Sequence, residues 1–512
     1  MELVDLLREL ERRRIGVSPE GDQLRIRAAS GAISAEIRVA LQSYKEQVIR
    51  LLNVADHLML GFPHDLPDGE FALTPIQAWF VGLFDLQQQE WATTIAIALP
   101  REISPAKLQH IVAGLFSMRD IFGLRMLRTE RGAWRARLAP NPAVPAVTVY
   151  ELGASTGEEY EALLREAATR LQSGMSIVSG PVLKVALCRR ASSTGDTVLI
   201  SILHHVYDAF SLKMLLEEFY GMCLEHAPGP GETLQSSVVS YREFLGALER
   251  KARDSTFVAR ALSFWNDPER LRSLAPLPYD FPHNIHTDRN SAVLSIALDA
   301  ELVRKLQEVT ARRGRSLDAA MLFALLLGHH RWTGSRWLRV DLEHHGRDGQ
   351  LPGLNLLQVY GPTNSKIPLL MEVPDSSNLN VTFESVCERI REVTDNSLGF
   401  GLLGYVLPTA KPGGGILKFS RPQLLFNSLL NTNVRRATEA DPGGGMRMRS
   451  VRAATTRENP FSHELVIQCS WLRSGIGVTV SYCRDSFRAA SMESLRQGFV
   501  TALQELVAQN SG

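Results

Sequence analysis

The sequence predicts an α/β (α+β) protein of two similar lobes preceded by a small helix–hairpin–helix unit. Leucines at helical spacing and an alternating hairpin mark the first 53 residues. Strands and helices alternate beyond about residue 71, and the same rhythm restarts near residue 291 after a Pro-rich interval. With 512 residues, 45 % of them hydrophobic, the chain is long enough for more than one core. Its 56 Lys plus Arg balance 55 Asp plus Glu without a long block of like charge, which argues against a nucleic-acid binder. Five cysteines (Cys188, Cys223, Cys387, Cys469, Cys483) lie far apart and never as C-x-x-C. That usage points to neither a disulfide framework nor a thiolate zinc site, and it fits a reducing cytoplasm. The segment MELVDLLRELERRR is charged from its start, and no run of about 18 apolar residues occurs, so secretion and membrane spanning are not expected.

Leu3, Leu6, Leu7 and Leu10 form one stripe of a first helix, which Gly16 ends. VSPEGDQLRIRA then reads as a hairpin about an E-G-D turn, with Leu24 and Ile26 on one face and Arg25 and Arg27 on the other. Ser34 opens a second apolar stripe through Ile37, Leu41, Val48, Leu51 and Leu52, which predicts one helix to about residue 53. The lone hairpin has a strand edge that is either solvated or used to capture another chain's strand. HLMLGFPHDLPDGE predicts a linker over 54–70. TTIAIALP, GLRMLR, VLKVALCRR and DTVLISILHH read as strands, and PAKLQHIVAGLFS, EEYEALLREAATRLQ and SLKMLLEEFYGMCLEHA as helices. The Pro-marked loops APGPGE and LAPLPYDFPHNI follow, then the strand SAVLSIALD, two helices and the strand WLRVDLEHH.

Two stretches carry candidate chemistry. In ISILHHVYDAFSLKMLLEEF an apolar strand ends at His204 and His205, a short loop carries Asp208, and a helix begins near Ser211. His204 is a candidate general base, its unperturbed pKa being near neutrality; the alternative is a paired-histidine turn on the surface. RVDLEHHGRDGQ packs Asp341, Glu343, His344, His345, Arg347 and Asp348 behind another apolar strand, where an arginine can pair with a buried carboxylate. No metal is expected, because there is no H-E-x-x-H and adjacent histidines on a strand project to opposite faces. Nucleophile-elbow, Walker-type and G-x-G-x-x-G motifs are absent, and the glycine triplets of PGGGILK and DPGGGMR read as turns.

These residues carry a resemblance. Residues 1–53, with the hairpin ending LRIRA and the closing K-x-x-x-I-x-x-L-L, resemble the β-hairpin docking domains of megasynthase subunits. The remainder resembles a nonribosomal peptide synthetase condensation domain through FALTPIQAWF (71–80), SYREF (240–244), GPTNSKIP (361–368) and FNSLLN (426–431). Aligning Asp208 on the family's H-H-x-x-x-D-G puts the catalytic histidine at His204, replaces the first histidine by Leu203, and sets Ala209 in place of the glycine. His205 is then not the aligned base. The resemblance implies a salt bridge between Asp208 and Arg347 and makes Leu203, His205, Ala209, Ser211, Glu343 and Asn427 site-lining candidates, Glu343 as a second acid/base.

The family's fold implies two chloramphenicol-acetyltransferase-like lobes in a V, here over 71–235 and 236–512. Phosphopantetheine arms of partner carrier proteins would supply substrate, and no cofactor of its own is expected. The docking strand Leu24, Arg25, Ile26 and Arg27 would recruit an upstream peptidyl or acyl carrier protein through a short, acidic linear motif. With no adenylation or carrier domain following, the chain resembles the free-standing, ester-forming, chain-releasing condensation enzymes of polyketide pathways. It would pass a thioester-bound polyketide or peptidyl chain to a hydroxyl or amine of a small-molecule acceptor, and a monomer is expected. One rival is a trans-acting epimerization domain, suggested by LEHHGRD, LGFGLLGYV and FNSLLN. The other is a non-catalytic docking platform, suggested by the Leu203 and Ala209 departures.

Overall fold

The computed structural model of the chain describes residues 1–60, 69–84, 91–130, 132–191, 195–224, 239–406, 423–430, 446–453 and 459–510. Helix α1 (Leu3–Arg12) buries Leu6, Leu7 and Leu10, the expected stripe. Strands β1 (Gly16–Glu20) and β2 (Gln23–Arg27) pair antiparallel about Gly21 and Asp22. Gly21 has φ +57°, as a tight two-residue hairpin turn requires.

Where one helix is expected over 34–53 there are two, α2 (Ala35–Ser43) and α3 (Lys45–Leu60), parted at Tyr44. Ser34 caps the first by accepting from the Ile37 N–H. Helix α3 runs to Leu60, so the expected linker at 54–70 begins as helix, and Ala55 is fully buried. The rest of that linker, from 61 to 68, lies outside the described residues. So do the expected turns at 227–232 and 412–418 and most of 441–447.

The next elements are β3 (Glu70–Phe71), α4 (Pro75–Val81), β4 (Ala92–Ala98), α5 (Pro105–Met118), β5 (Leu124–Arg128), β6 (Trp134–Leu138) and β7 (Thr148–Glu151). After them come α6 (Gly157–Gln172), β8 (Leu183–Arg189), β9 (Thr197–Leu203) and α7 (Ala209–Leu224). Strands β4, β9, β8 and β7 lie side by side in that order, and β3, β6 and β5 form a separate small sheet. The FALTPIQAWF stretch is a helix start: Thr74 and Gln77 form a reciprocal capping box and Pro75 takes the first helical turn.

Helices α8 (Tyr241–Ala252) and α9 (Ser255–Trp265) bridge to the second lobe. SYREF is likewise a capped helix start, and the Asp120 carboxylate accepts from Ser240 Oγ and from the N–H groups of Tyr241 and Arg242 at 2.6–2.9 Å. Helices α1 and α3 pack on α9. Glu11 of α1 reaches Lys251 (2.6 Å) and Arg260 (2.8 Å), which ties the N-terminal unit to this bridge.

The second lobe holds β10 (Ser291–Asp299), α10 (Ala300–Arg312), α11 (Leu317–Thr333), β11 (Trp337–His344), β12 (Ser365–Glu372), α12 (Leu379–Thr394), α13 (Ser397–Gly401) and β13 (Leu424–Ser428). It continues through β14 (Arg447–Val451), β15 (Leu465–Leu472), β16 (Gly475–Cys483) and α14 (Ala489–Ala508). Its six-stranded sheet runs β10-β16-β15-β13-β11-β12, with β13 parallel to both neighbours and the other pairs antiparallel. Strand β14 does not join this sheet. It crosses over and pairs antiparallel with β4, so the 236–512 segment supplies a strand to the first lobe. The expected boundary at 235/236 falls outside the described residues.

Helix α11 is buried almost all round and packs closely on α14. A Cβ on Gly328 would lie 2.9 Å from Phe499 N and 3.0 Å from Leu495 O, both backbone atoms that cannot turn aside. Gly328→Ala is therefore expected to cost about 1–3 kcal/mol through forced separation of the two helices, measured by urea denaturation.

Candidate functional site

Strand β9 is apolar and buried, and Leu203 at its end is fully enclosed, so the position of the family's first histidine belongs to the core. A 3₁₀ turn over His204–Val206 follows, with the His204 N–H donating to the Trp91 carbonyl (2.8 Å). His204 is exposed while Val206, Tyr207 and Asp208 are buried. Its ring stacks on Tyr207 at 4.8 Å, and the Tyr207 hydroxyl donates to Thr93 Oγ1 (2.6 Å), which holds that platform in place. Although solvent reaches the ring, protein surrounds it. Desolvation lowers its pKa below the ordinary 6.5, the Glu343 charge opposing this and Lys366 adding to it. A neutral imidazole at pH 7 follows, free to accept a proton.

His205 turns the other way. It is buried against Phe80, ring to ring at 4.5 Å, with neither nitrogen hydrogen-bonded, and desolvation together with His204 pushes its pKa down to about 3. It is a neutral core residue.

Asp208 starts α7. Its Oδ1 accepts from the Ser211 N–H and Oγ (both 2.8 Å), while the Asp208 N–H donates to Ser211 Oγ (3.0 Å). Ser211 is thus a buried partner in a capping box, and Ala209, the exposed first helical residue, makes no demand on backbone conformation there. Across the lobes, Arg347 Nη2 bonds both Asp208 oxygens at 3.0 and 2.8 Å, with both side chains buried. The fork is not used in parallel, as a side-by-side bidentate pair would use it. Arg347 Nη1 instead serves the carbonyls of Leu356 and Val359, and Nη2 also reaches Gly361 O. Thr363 N and Oγ1 complete Asp208 at 3.1 Å. Gly346, at φ +66°, lets the H-H-G-R turn pass this segment; a Cβ there would sit 2.0 Å from Thr363 O.

Glu343 stands on β11 opposite Lys366 of β12. It accepts from Lys366 Nζ (2.9 Å) and Asn364 Nδ2 (2.8 Å), and these partners outweigh desolvation, so its pKa is lowered and it remains an anion. Lys366 Nζ also lies 4.7 Å from the centre of the Trp79 ring. Lys366, Asn364, Thr363 and Trp79 are the residues that sequence reasoning missed. Three of them stand inside GPTNSKIP, quoted only as a motif: pairing of β12 with β11 brings Lys366 to Glu343, Asn364 just before that strand bonds the same carboxylate, and Thr363 bonds Asp208. Asn427 lies on β13, one place beyond the Leu342–Phe426 pair, hence beside Glu343.

In the docking unit Leu24 packs on the core, Arg25 pairs with Glu20 (2.9 Å), Ile26 is 39 % exposed and Arg27 is exposed; β2 has no strand on its outer side among the described residues. Among the described residues no three His, Cys, Asp or Glu side chains converge on a metal position, and no helix is long and apolar enough to cross a membrane.

Two sheet-containing lobes pinned together beside an accessible, neutral histidine are the layout of an acyltransferase. The chain belongs to the condensation-domain family, whose model matches residues 68–512, and residues 3–53 match the TubC N-terminal docking domain. It is 25 % identical over 444 residues to a linear gramicidin synthase polypeptide of Brevibacillus parabrevis, covering 86 % of this chain and 6 % of that protein. To chondramide synthase cmdD of Chondromyces crocatus it is 25 % identical over 443 residues, covering 86 % and 11 %. It therefore spans only a small part of the length of these relatives.

Among solved structures, the epimerization domain from the third module of tyrocidine synthetase B has a TM-score of 0.71 at 20 % identity, covering 87 % of this chain and 99 % of that one. The condensation domain that mediates chain release from the enacyloxin polyketide synthase has a TM-score of 0.61 at 16 % identity, covering 100 % and 97 %. The cyclization-docking bidomain of EpoB from Sorangium cellulosum gives 0.62 at 16 %, covering 98 % and 97 %. At these identities the likeness is one of fold.

Arg347→Ala would leave Asp208 charged, buried and short of its cation. A loss of about 3–5 kcal/mol in stability is expected, measured by urea denaturation.

Proposed function

We propose that the chain is a carrier-dependent acyltransferase in which His204 is the general base. The observation that carries this is His204 itself, the one member of its buried loop that meets solvent, neutral and facing an anionic Glu343. A thioester-bound polyketide or peptidyl donor and a nucleophile would meet at its ring. The imidazole takes the proton from the acceptor hydroxyl or amine as that atom attacks the thioester carbonyl. The tetrahedral intermediate collapses with loss of the thiolate, which recovers the proton from the imidazolium. Asp208 and Arg347 touch no substrate in this scheme; they hold the loop.

This reading extends to transfer onto a hydroxyl and release of the chain as an ester of a free hydroxylated acid. Supporting it is the end-to-end fold match with the enacyloxin chain-release domain. The docking hairpin would recruit the upstream carrier by adding a strand along β2, which raises effective concentration without tight binding. Arg27 is the arginine available to an acidic motif, since Arg25 already pairs with Glu20.

Epimerization is the second reading, and the fold match to the tyrocidine epimerization domain favours it. That reaction needs a proton donor opposite the base. Glu343, clamped as an anion by Lys366 and Asn364, is a poor donor, which supports transfer.

His204→Ala is expected to abolish transfer without loss of fold, whereas His205→Ala retains activity, measured by intact mass of an acyl-loaded carrier and its product. Equal losses would put the base elsewhere. The rate should rise with pH through a pKa below 6.5 and then level, because the base works deprotonated. Glu343→Gln removes a charge that raises the His204 pKa, so the acid limb should shift to lower pH in the pH–rate profile. Arg27→Glu should slow transfer from a carrier-bound donor at low concentration and much less from a small thioester mimic that does not dock.

A further inference from the structure

The second lobe's sheet carries a line of polar side chains that begins at Glu343 and runs on past everything the proposed chemistry uses. Register pairs Lys366 with Glu343, Asn427 with Gln468, Gln468 with Thr479, and Thr479 with Ser295. Asn427 itself lies beside Glu343. Residues paired across neighbouring strands share a face, so Lys366, Glu343, Asn427, Gln468, Thr479 and Ser295 form one row across all six strands. The row begins where Glu343 acts on His204 and ends at the sheet edge on β10.

A solvated antiparallel face carries polar residues without any function. Three features set this row apart. The neighbouring row on the same face runs Pro368, Asp341, Leu425, Val466, Ser481 and Val293, four of them apolar and its carboxylate taken up by His463, so polarity is denser in this line than in the one beside it. Exposure rises along the row, from buried Lys366 through half-buried Glu343, Asn427, Gln468 and Thr479 to exposed Ser295. Asn427, Gln468, Thr479 and Ser295 have no side-chain hydrogen-bond partner among the described residues, whereas Glu343 and Lys366 satisfy each other. Four strand spacings separate Glu343 from Ser295, about 19 Å.

We propose that this row is the acceptor track, and the assignment rests on the acyltransferase reading above. Its two carboxamides and two hydroxyls are uncharged and both donate and accept, so they fit a ligand with several neutral hydrogen-bonding groups in a line. Hydroxyl and amide groups are the shared chemistry. They come either from a free, multiply hydroxylated acceptor or from the amide-bearing pantetheine arm of a carrier-bound one. The acceptor enters at the β10 edge, exchanges water for these side chains, and brings its nucleophilic atom to His204. Glu343, already held by Lys366, closes the inner end.

The test uses the full chain with one acyl-loaded carrier as donor and three acceptors: a free polyol acid, a pantetheine-linked amine, and a simple monoalcohol. Gln468→Leu and the nearly isosteric Thr479→Val are compared with Ser481→Ala, a control one row away on the same face. For whichever of the first two acceptors is the natural type, KM should rise about threefold to tenfold in each row variant, the range expected for one neutral hydrogen bond. Transfer should fall relative to hydrolysis of the same donor, and neither monoalcohol transfer nor the Ser481→Ala enzyme should change. A polyol-specific loss identifies a free acceptor, and a pantetheine-specific loss a carrier-bound one. Unchanged KM for both, or equal losses with all three acceptors, would overturn the acceptor track while leaving the acyltransferase reading standing. Wild-type protein that transfers to none of the three overturns that reading and the track with it.

Discussion

The Asp208 carboxylate is the constraint on which the rest of the site depends. A buried charge is tolerated only with its lone pairs satisfied, and here every partner comes from a different part of the chain. Ser211 ties it to the start of α7, Arg347 to the turn after β11, and Thr363 to the segment entering β12. One side chain thereby fixes the loop carrying His204, the first turn of a helix, and the seam between the lobes. Arg347 extends the same seam by serving three carbonyls between Leu356 and Gly361. The placement of His204 and the pairing of the lobes are consequently a single property of this fold.

The two histidines at the end of β9 show how little separates a chemical group from a structural one. Adjacent in sequence, they face different surroundings: one reaches the space before Glu343, the other lies on Phe80 with no polar partner. Burial lowers both pKa values, but only at His204 does a neighbouring carboxylate hold the value up. Glu343 can play that part because Lys366 keeps it ionised, and Lys366 is itself held over Trp79 of α4. The FALTPIQAWF helix start thus supports the site from beneath.

The N-terminal unit is built into the protein as well as attached to it. Helices α1 and α3 pack on α9, and Glu11 joins half-buried Lys251 and buried Arg260 of the α8–α9 bridge, while β2 keeps its outer edge free of any described strand. A firm seat on one side and an unpaired edge on the other suit a recruiting element, because an edge held in place loses less entropy when a strand is added to it.

Local periodicity by itself determined β1 and β2, β4, β8 and β9, helices α5, α6 and α7, and the repeat of that rhythm from β10 to β11. Each of those patterns is set by residues a few positions apart. The resemblance to condensation domains, carried by the sequence's motifs, pointed to His204, Asp208 and Arg347. Tertiary structure decided what depends on distant partners: the continuation of α3 into the expected linker, with Ala55 fully buried, and the passage of β14 into the other lobe's sheet. It also decided that His205 belongs to the core, that one guanidinium nitrogen spans both Asp208 oxygens, and that Lys366 guards Glu343. A strand's sequence reveals which residues alternate but not which strand lies beside it. Only the register of six strands therefore drew Glu343, Asn427 and Gln468, far apart in the chain, into one line across the sheet.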